Sequence, residues 1–253
     1  MIVAAFQTPL LPAGSMDSIA LIRKRIDWCE TAGVEILCCP EAILGGLADY
    51  SDYPEQFSIR VSDGELNNVL GPLESDNVCI IVGFTEIDND GRLFNSAAVY
   101  HRGAVVGVYR KLHPAINSSV YSAGDRYPVF EIGDLKFGVV ICRDSNFSEP
   151  ARIMADSGAT ALFVPTNNGL PKHRDFGNLR ELTTQTDVSL AVDNQMFVIR
   201  ADVAGETDRL VSCGSSEIVS PDGIVLQSAM RFGEDLVVAN ICTCPKQTQE
   251  NAG

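Results

Sequence analysis

Apolar strand-like runs alternate with segments of helical periodicity, and this alternation restricts the fold more than any other feature of the chain. The first run, Ile2–Phe6, predicts a strand, and a second strand is predicted at Val34–Cys39. Between them, apolar residues recur at the spacing of one helix face: Ile19, Ile22, Ile26 and Cys29. Gly33 sits just past this segment, where a helix commonly ends. A strand, a helix and a second strand in succession are typical of an α/β protein.

The same alternation continues along the rest of the chain. Further strands are predicted at Val78–Phe84, Ala97–His101, Ala104–Tyr109, Phe137–Ile141, Thr160–Val164, Met196–Ala201, Ser216–Val219, Ile224–Gln227 and Leu236–Ile241, and further helices at Glu149–Ser157 and Asn178–Val192. Glycine-containing turns such as Arg102-Gly103 join neighbouring strands into hairpins, so we expect mixed sheets. No linker or repeat divides the pattern, which favours one domain over residues 1–245 followed by a polar tail at 246–253.

The charge balance limits what the protein can bind. Its 253 residues include 19 Lys and Arg against 33 Asp and Glu, which gives a formal net charge of −14. Nucleic-acid surfaces need an excess of basic residues, so a nucleic-acid partner is not expected. No run approaches the ~18 apolar residues of a membrane helix, and the first residues lack the basic start and apolar core of a signal peptide. A cytoplasmic protein that does not bind membranes is expected.

The eight cysteines raise two other interpretations, a disulfide framework and a metal site. Several lie inside apolar runs, among them Cys38, Cys39 and Cys79, and in a reducing cytosol such thiols behave as small buried hydrophobes. Cys242 and Cys244 have CxC spacing, but no His or Cys cluster lies near them in the sequence. We therefore predict no disulfide, no bound metal and no cofactor. A thiol redox or metal-binding protein stays as an alternative.

Three chemically useful residues each follow a predicted strand: Glu41, Lys111 and Cys142. Functional groups gather where strands end, because a rigid sheet positions the loops there. A cysteine nucleophile needs a nearby base or cation, since its free pKa of about 8.5 leaves little thiolate at neutral pH. Taken singly, each residue also has an ordinary interpretation. Cys142 can be one more buried thiol, Glu41 a solvated carboxylate and Lys111 part of a basic surface cluster.

Ordered sequence blocks surround these three residues. They read Cys39-Pro40-Glu41-Ala42-Ile43, Phe94-Asn95-Ser96-Ala97, Gly107-Val108-Tyr109-Arg110-Lys111-Leu112-His113-Pro114, Gly138-Val139-Val140-Ile141-Cys142-Arg143-Asp144, Phe147-Ser148-Glu149-Pro150, Asp193-Asn194-Gln195-Met196-Phe197-Val198 and Gly214-Ser215-Ser216. In content and order the blocks resemble the nitrilase superfamily of carbon–nitrogen hydrolases, and the resemblance runs through nearly the whole chain. It implies an αββα sandwich, with mixed sheets flanked by helices.

The resemblance also implies a catalytic triad made of Glu41, Lys111 and Cys142. In that chemistry the cysteine attacks a small-molecule amide, the carboxylate moves the protons, and the lysine stabilises the oxyanion together with a backbone N–H near Arg143. Water then cleaves the thioester, and ammonia or an amine is released without a metal or organic cofactor. An amidase is the leading interpretation, with an N-carbamoyl amino acid hydrolase and a nitrilase as alternatives. Family members usually assemble, so a homodimer or higher homo-oligomer is expected.

One loop departs from the family pattern. Many members carry a second glutamate after the lysine block, whereas residues 115–124 contain no carboxylate. Asn117, Ser118 and Ser119 are available for hydrogen bonding, but none is a strong base, so Glu41 is expected to act alone. The departure adds a further alternative, a non-catalytic binding protein of the same fold.

Arg143, Asn167 and Asn168 are the candidate substrate-binding residues. An aromatic residue often follows the nucleophile in the family, whereas Arg143 places a guanidinium there, and its planar fork suits a substrate carboxylate. The ordinary alternative for Arg143 is a salt bridge to Asp144 or Glu149. The two asparagines follow a predicted strand, which suggests a place in the pocket, although an asparagine pair also suits a turn.

Overall fold

The computed structural model describes residues 1–114, 118–175 and 177–241. In the first part of the chain the elements are β1 (Ile2–Pro9), α1 (Ser18–Ala32), β2 (Ile36–Cys38), α2 (Glu65–Leu70), β3 (Cys79–Ile87), β4 (Leu93–His101) and β5 (Ala104–Arg110). The later elements are β6 (Val129–Ile132), β7 (Leu135–Val139), α3 (Ser148–Asp156), β8 (Ala161–Pro165), β9 (Leu170–Pro171), α4 (Leu179–Asn194), β10 (Phe197–Ala201), β11 (Val203–Glu206), β12 (Leu210–Cys213), β13 (Glu217–Val219), β14 (Val225–Ser228) and β15 (Asp235–Asn240). Short 3-10 helices cover Ala48–Tyr50, Gly71–Leu73 and Cys142–Asn146.

Two mixed sheets contain these strands, as the hairpins and helices of the sequence predict. Within the described residues the first sheet has the order β5-β4-β3-β2-β1-β11-β12-β9, with β15 also paired to β1, and the second has the order β14-β13-β10-β8-β7-β6. Parallel pairs lie inside each sheet: β1 with β2 and β2 with β3, then β7 with β8 and β8 with β10. Antiparallel hairpins extend both sheets.

The two sheets pack face to face, and helices cover their outer faces. Along β1, Val3 and Ala5 join the apolar cluster that contains strands of both sheets, whereas Ala4 and Phe6 join the cluster under α1. Consecutive side chains of a strand point to opposite faces, so both faces of β1 are buried, which explains its continuous apolar run. On the second sheet, α3 packs against β7, and α4 packs against β10 and β13. The result is the expected αββα sandwich.

Helix α1 ends where the sequence predicts. Gly33 adopts a left-handed φ of 72°, and its N–H donates to the carbonyls of Cys29 and Glu30. Glycine takes this conformation at little cost, and the bonds satisfy carbonyls that would otherwise lack a partner at the helix end. The chain then turns directly into β2.

Several predicted elements have different ends in the structure. Strand β2 covers Ile36–Cys38 rather than Val34–Cys39, and β4 begins at Leu93 rather than Ala97. Strand β7 ends at Val139, so Cys142 does not follow its strand directly. The sequence does not predict α2, β9, β11 or β12; α2 has only six residues, too few to show a helical period, and the three strands have two to four residues.

Most of the cysteines are buried free thiols, as their apolar surroundings predict: Cys29, Cys38, Cys39, Cys79 and Cys213. Cys242, Cys244 and the predicted polar tail lie outside the described residues. Across residues 1–114, 118–175 and 177–241, no group of three or more His, Cys, Asp or Glu is arranged to hold a metal ion. No helix in the same ranges is long and apolar enough to cross a membrane.

Candidate active site

Glu41 and Lys111 meet at one edge of the first sheet because of how its strands run. Strands β2 and β3 are parallel, β4 is antiparallel to β3, and β5 is antiparallel to β4. β2 and β5 therefore point the same way, and the residues after their carboxyl ends lie at the same edge. In the second sheet, Cys142 follows β7, whose parallel neighbour β8 leads into Asn167 and Asn168.

Glu41 is a buried carboxylate, 2% exposed, with hydrogen bonds to both oxygens. Its Oε1 accepts from Lys111 Nζ at 2.5 Å and from Asn95 Nδ2 at 2.7 Å. Its Oε2 accepts from the backbone N–H of Asn167 at 3.0 Å. Since Asn167 follows a strand of the second sheet, this last bond connects the two sheets. The carboxylate is thereby held in one orientation between the lysine and the Asn167 segment.

Close backbone packing positions the segment that carries Glu41. Ala42 has a φ of 47°, in the left-handed region that non-glycine residues seldom adopt. Gly83 of β3 lies directly against this segment, and a Cβ there would be 2.4 Å from Ala42 N and 2.6 Å from the Pro40 carbonyl oxygen. A side chain at position 83 would push the Glu41 segment away from β3, so the close approach requires glycine.

Lys111 directly follows β5 and is as deeply buried as Glu41, with 2% of its surface exposed. Burial by itself lowers the pKa of an amine, but the negative charge of Glu41 and the hydrogen bond that the ammonium donates to Glu41 act against it. The pKa of Lys111 is therefore above its usual value, and the ammonium keeps its proton at neutral pH. A fixed, buried cation of this kind can stabilise an oxyanion that forms beside it.

Cys142 begins the short helix Cys142–Asn146 and has a φ of 43°. A non-glycine residue in this conformation costs about 1–3 kcal/mol and persists only where its surroundings impose it. Ser145 Oγ donates to the Cys142 carbonyl oxygen at 2.7 Å, which helps to hold the turn. The thiol, on a partly exposed residue, lies 3.9 Å from Asn168 Oδ1. The turn therefore presents the sulfur toward the end of β8.

The Cys142 thiol keeps its proton in the resting site. Burial and the charge of Glu41 raise its pKa to about 12, although Lys111, Arg200 and the backbone N–H of Asn167 act in the opposite direction. A neutral thiol must lose its proton to a base as it attacks. The site therefore places the Glu41 carboxylate and the Lys111 ammonium close enough to influence the pKa of the Cys142 thiol. A carboxylate can accept the thiol proton, and an ammonium can stabilise negative charge.

Asn167 and Asn168 have different structural roles. Asn167 supplies a backbone N–H to Glu41, whereas Asn168 is held by Asp202 and Ser215. The Asn168 N–H donates to Asp202 Oδ1 at 2.9 Å, its Nδ2 donates to Ser215 Oγ at 3.2 Å, and Ser215 Oγ donates to Asp202 Oδ2 at 2.7 Å. These bonds direct the Asn168 amide oxygen toward the thiol. No sequence pattern indicates Asp202, whereas Ser215 belongs to the Gly214-Ser215-Ser216 block.

Arg143 lines a cavity of about 380 Å³ that also contains Cys142 and Asn168. The other lining residues come from the Cys142 helix, from α4 and from β10: Ser145, Asn146, Leu179, Leu182, Thr183, Thr186 and Arg200. None of these lining residues is Asp or Glu, and the charged side chains among them are Arg143 and Arg200, of which Arg200 is paired with the buried Asp187. The Arg143 guanidinium also donates from Nη1 to the Pro114 carbonyl oxygen at 3.4 Å.

Asp144 makes more hydrogen bonds than the sequence predicts. From the sequence alone, its expected role is an ion pair with Arg143. Asp144 is fully buried. Its carboxylate accepts from the Tyr109 hydroxyl at 2.7 Å and from the backbone N–H groups of Leu112, His113 and Ile141 at 3.3, 2.8 and 3.2 Å. The His113 ring adds a contact from Nδ1 at 3.0 Å. The available signal was an aspartate three residues after the predicted strand Phe137–Ile141, because an acid that is buried near the end of a strand needs several donors.

Arg200 is a second buried cation near Cys142, and no sequence pattern indicates its role. Asp187 of α4 accepts from both its Nε, at 2.7 Å, and its Nη2. Arg200 also donates from Nη1 to Thr166 Oγ1 at 2.7 Å and from Nη2 to Ser145 Oγ at 3.1 Å. Thr166 precedes the asparagine pair and Ser145 belongs to the Cys142 helix, so one guanidinium connects both segments to α4.

Glu217 lies opposite Arg200 in the pairing of β10 with β13, and its charge is poorly compensated. Its Oε2 accepts from Thr184 Oγ1 at 2.9 Å, whereas Oε1 has no hydrogen-bond partner in the part of the chain that the structure describes. Burial, and then the charge of Asp187, raise the pKa of Glu217 from 4.5 to about 7.

We expect Glu217→Gln to stabilise the protein above pH 7. A carboxyl group with a raised folded-state pKa keeps its proton while the unfolded chain loses it, so stability falls as the pH rises from 4.5 to about 7. The glutamine variant does not lose stability in this way. Between pH 4.5 and about 7, the difference in unfolding free energy between this variant and the parent protein should grow by about 1.4 kcal/mol per pH unit. Urea unfolding from pH 4.5 to 8 measures the difference, with the exposed Glu131→Gln as control. An advantage that does not change with pH would contradict the prediction.

A model of the carbon-nitrogen hydrolase family matches residues 3–243, which is nearly the whole chain. The chain belongs to the carbon-nitrogen hydrolase family. This member is similar to a nitrilase from Pyrococcus abyssi, with 31% identity over 86% of this chain and 80% of the relative. It is also similar to an (R)-stereoselective amidase from Pseudomonas sp, with 28% identity over 78% of this chain and 69% of the relative.

The fold of this carbon-nitrogen hydrolase also matches solved structures. One is a variant of the amidase from Nesterenkonia sp. AN1, with a TM-score of 0.80 and 20% identity over 96% of this chain and 90% of that chain. That structure shows covalent addition of the acetamide moiety of fluoroacetamide at the active-site cysteine.

These findings confirm the resemblance to the nitrilase superfamily and the αββα fold. The protein is therefore an enzyme that acts on carbon–nitrogen bonds other than peptide bonds. The roles of Glu41, Lys111 and Cys142, and those of the three substrate-binding candidates, stay predictions. So do the homo-oligomer and the cytoplasmic location.

Proposed function

We propose that the protein is a small-molecule amidase in which Cys142 is the nucleophile, Glu41 the proton-transfer group and Lys111 the cation that stabilises the oxyanion. The observation that carries the proposal is the buried Glu41–Lys111 pair beside a thiol held in a strained turn. The covalent adduct on the active-site cysteine of the similar amidase supports the same use of Cys142.

In the acylation step, Cys142 Sγ attacks the amide carbon while its proton passes to the Glu41 carboxylate. Negative charge collects on the carbonyl oxygen, where the Lys111 ammonium stabilises it. As the tetrahedral intermediate collapses, the C–N bond breaks and Glu41 returns the proton to the leaving nitrogen. Ammonia or an amine leaves, and the acyl group remains on sulfur as a thioester.

Deacylation uses the same groups in the same order. Glu41 takes a proton from water, whose oxygen attacks the thioester carbon, and Lys111 again stabilises the oxyanion. The C–S bond then breaks, the acid product leaves, and the proton returns to the Cys142 sulfur. Glu41 serves as base and acid in both steps, so no second carboxylate is required.

Ammonia release tests the proposal across simple aliphatic amides, ω-amides, N-carbamoyl acids and nitriles. We expect hydrolysis of an amide, with an acyl adduct on the Cys142 peptide after rapid quenching. Carbon dioxide released together with ammonia would instead identify an N-carbamoyl amino acid hydrolase, and consumption of a nitrile would identify a nitrilase. Stoichiometric labelling of Cys142 by an electrophile would support a catalytic thiol, whereas no labelling together with no turnover of any substrate would identify a non-catalytic binding protein.

The finer part of the proposal is that the substrate carries a carboxylate. Arg143 lines the same cavity as Cys142, and no acidic residue lines it. The protein as a whole has a formal charge of −14, so a cavity wall that contains Arg143 and no acidic residue is a local exception that favours an anionic ligand. A guanidinium binds a carboxylate through two parallel hydrogen bonds, which orients the substrate as well as attracting it.

Arg143→Leu should raise KM for carboxylate-bearing amides by about 10- to 100-fold, because a hydrogen bond to a charged group is lost. Neutral amides of similar size should keep their KM. Arg152→Leu, on the exposed face of α3, is the control for loss of one positive charge. An equal rise in KM for neutral and anionic amides would contradict the assignment of Arg143.

A further inference from the structure

One buried carboxylate contacts the chain on both sides of Lys111. Tyr109 lies two positions before the lysine, and its hydroxyl donates to Asp144 Oδ2 at 2.7 Å. Leu112 directly follows the lysine, and its N–H points to the same oxygen at 3.3 Å. Asp144 itself lies two residues after Cys142. The end of β5 that carries Lys111 is therefore attached to the turn that carries the thiol.

The same oxygen also closes the turn around the thiol. The N–H of Ile141 donates to Asp144 Oδ2 at 3.2 Å, and the N–H of Asp144 donates to the Ile141 carbonyl oxygen at 3.0 Å. These two bonds enclose Cys142 at its φ of 43°, a conformation that surrounding contacts must impose. Oδ2 is thus shared between the lysine segment and the cysteine turn.

The other oxygen holds the chain beyond Lys111. The His113 N–H donates to Asp144 Oδ1 at 2.8 Å, and His113 Nδ1 lies 3.0 Å from the same atom. The His113 ring stacks on Phe147, with ring centroids 3.7 Å apart, and Phe147 directly follows the Cys142 helix. Two independent contacts therefore join the loop after Lys111 to the segment after the thiol.

We propose that Asp144 is a positioning residue, which sets the distance and orientation between the Lys111 ammonium and the Cys142 thiol. The inference rests on the proposed function, in which the lysine must lie beside the oxyanion that forms next to the sulfur. Asp144 does not line the cavity that contains Cys142, so it acts through the two segments and not on the substrate. A displacement of about 1 Å at a catalytic group can lower a rate by about 100-fold.

Asp144→Asn tests this role, because it replaces one acceptor oxygen by an NH2 group that faces N–H and O–H donors. We expect kcat for amide hydrolysis to fall by about 100-fold and KM to change by less than about threefold. Asp88→Asn is the matched control, since Asp88 lies in the turn between β3 and β4 and accepts from the backbone N–H groups of Asp90 and Arg92 at 3.0 and 2.8 Å. This control should lose thermal stability and keep kcat within about threefold.

Alkylation of Cys142 by iodoacetamide, followed on the Cys142 peptide by mass spectrometry, tests the link to Lys111 without turnover. Burial and Glu41 raise the pKa of the thiol and Lys111 opposes them, so Lys111→Met should slow alkylation. Asp144→Asn should also slow alkylation in the parent protein, and it should slow alkylation less in the Lys111→Met background, where only its effect on the cysteine turn remains. Equal slowing in both backgrounds, or an unchanged kcat in the folded Asp144→Asn variant, would overturn the inference.

Tyr109→Phe provides a second variant if Asp144→Asn does not fold. It removes one donor of Asp144 and should lower kcat by about tenfold with little change in KM. An unchanged kcat in Tyr109→Phe would count against the inference. If the parent protein hydrolyses no amide but the alkylation cycle gives the expected coupling, the proposed function fails and the positioning of Lys111 by Asp144 stands.

Discussion

Cys142→Ala should lower kcat by about 10⁴-fold or more and leave the fold intact, because the thiol is the atom that forms the proposed acyl-enzyme. The hydrogen-bond contact of the thiol with Asn168 Oδ1 is long, at 3.9 Å, so removal of the sulfur breaks no strong hydrogen bond. Glu41 and Lys111 keep their mutual hydrogen bond in this variant. Ammonia release measures the activity, and circular dichroism with thermal unfolding measures the fold.

Cys142→Gly is the companion variant, and it separates the chemistry of the thiol from the strain of the backbone. Glycine adopts a positive φ without the steric cost that alanine has at 43°. Both variants should be inactive, and the glycine variant should be more stable than the alanine variant by about 1 kcal/mol. Turnover that persists in either variant would show that the reaction does not use the thiol. A more stable alanine variant would show that the turn is not strained.

The meeting of Glu41 and Lys111, which the family resemblance implies, has a simple physical reason in the order of the strands. Both follow apolar strands, and the two hairpin turns between β3 and β5 return the chain to its original direction. Two reversals bring the end of β5 to the same edge as the end of β2. Each hairpin turn reverses the direction of the chain, and turn residues such as Arg102-Gly103 can be recognised in the sequence.

The hydrogen-bond and ion-pair partners of the buried side chains around the site cannot be recognised in the sequence in the same way. Arg200 lies inside a predicted apolar strand, where a single charge gives no indication of its partner. Its ion pair with Asp187 depends on how α4 packs against β10, which is a property of the assembled sandwich. Asp144 likewise receives donors from residues 31 to 35 positions earlier. Side-chain networks between distant segments depend on tertiary packing, and no local periodicity of the sequence encodes that packing.

Lys111→Met should have the largest combined effect on activity and stability. It leaves the Glu41 carboxylate, 2% exposed, with the amide donors Asn95 and Asn167 but without the ammonium that now contacts it. Removing one partner of a buried ion pair costs about 3–5 kcal/mol of stability. Loss of the oxyanion-stabilising cation should lower kcat by about 100- to 1000-fold.

The double variant Glu41→Gln with Lys111→Met separates these two effects. A neutral glutamine removes the uncompensated charge and can still accept from Asn95 through its amide oxygen, so most of the lost stability should return. Activity should not return, because the base and the cation are both absent. Urea unfolding and ammonia release measure the two quantities on the parent and both variants. A double variant no more stable than Lys111→Met would show that the cost comes from packing around the lysine side chain, and recovered activity would refute the assigned roles of both residues.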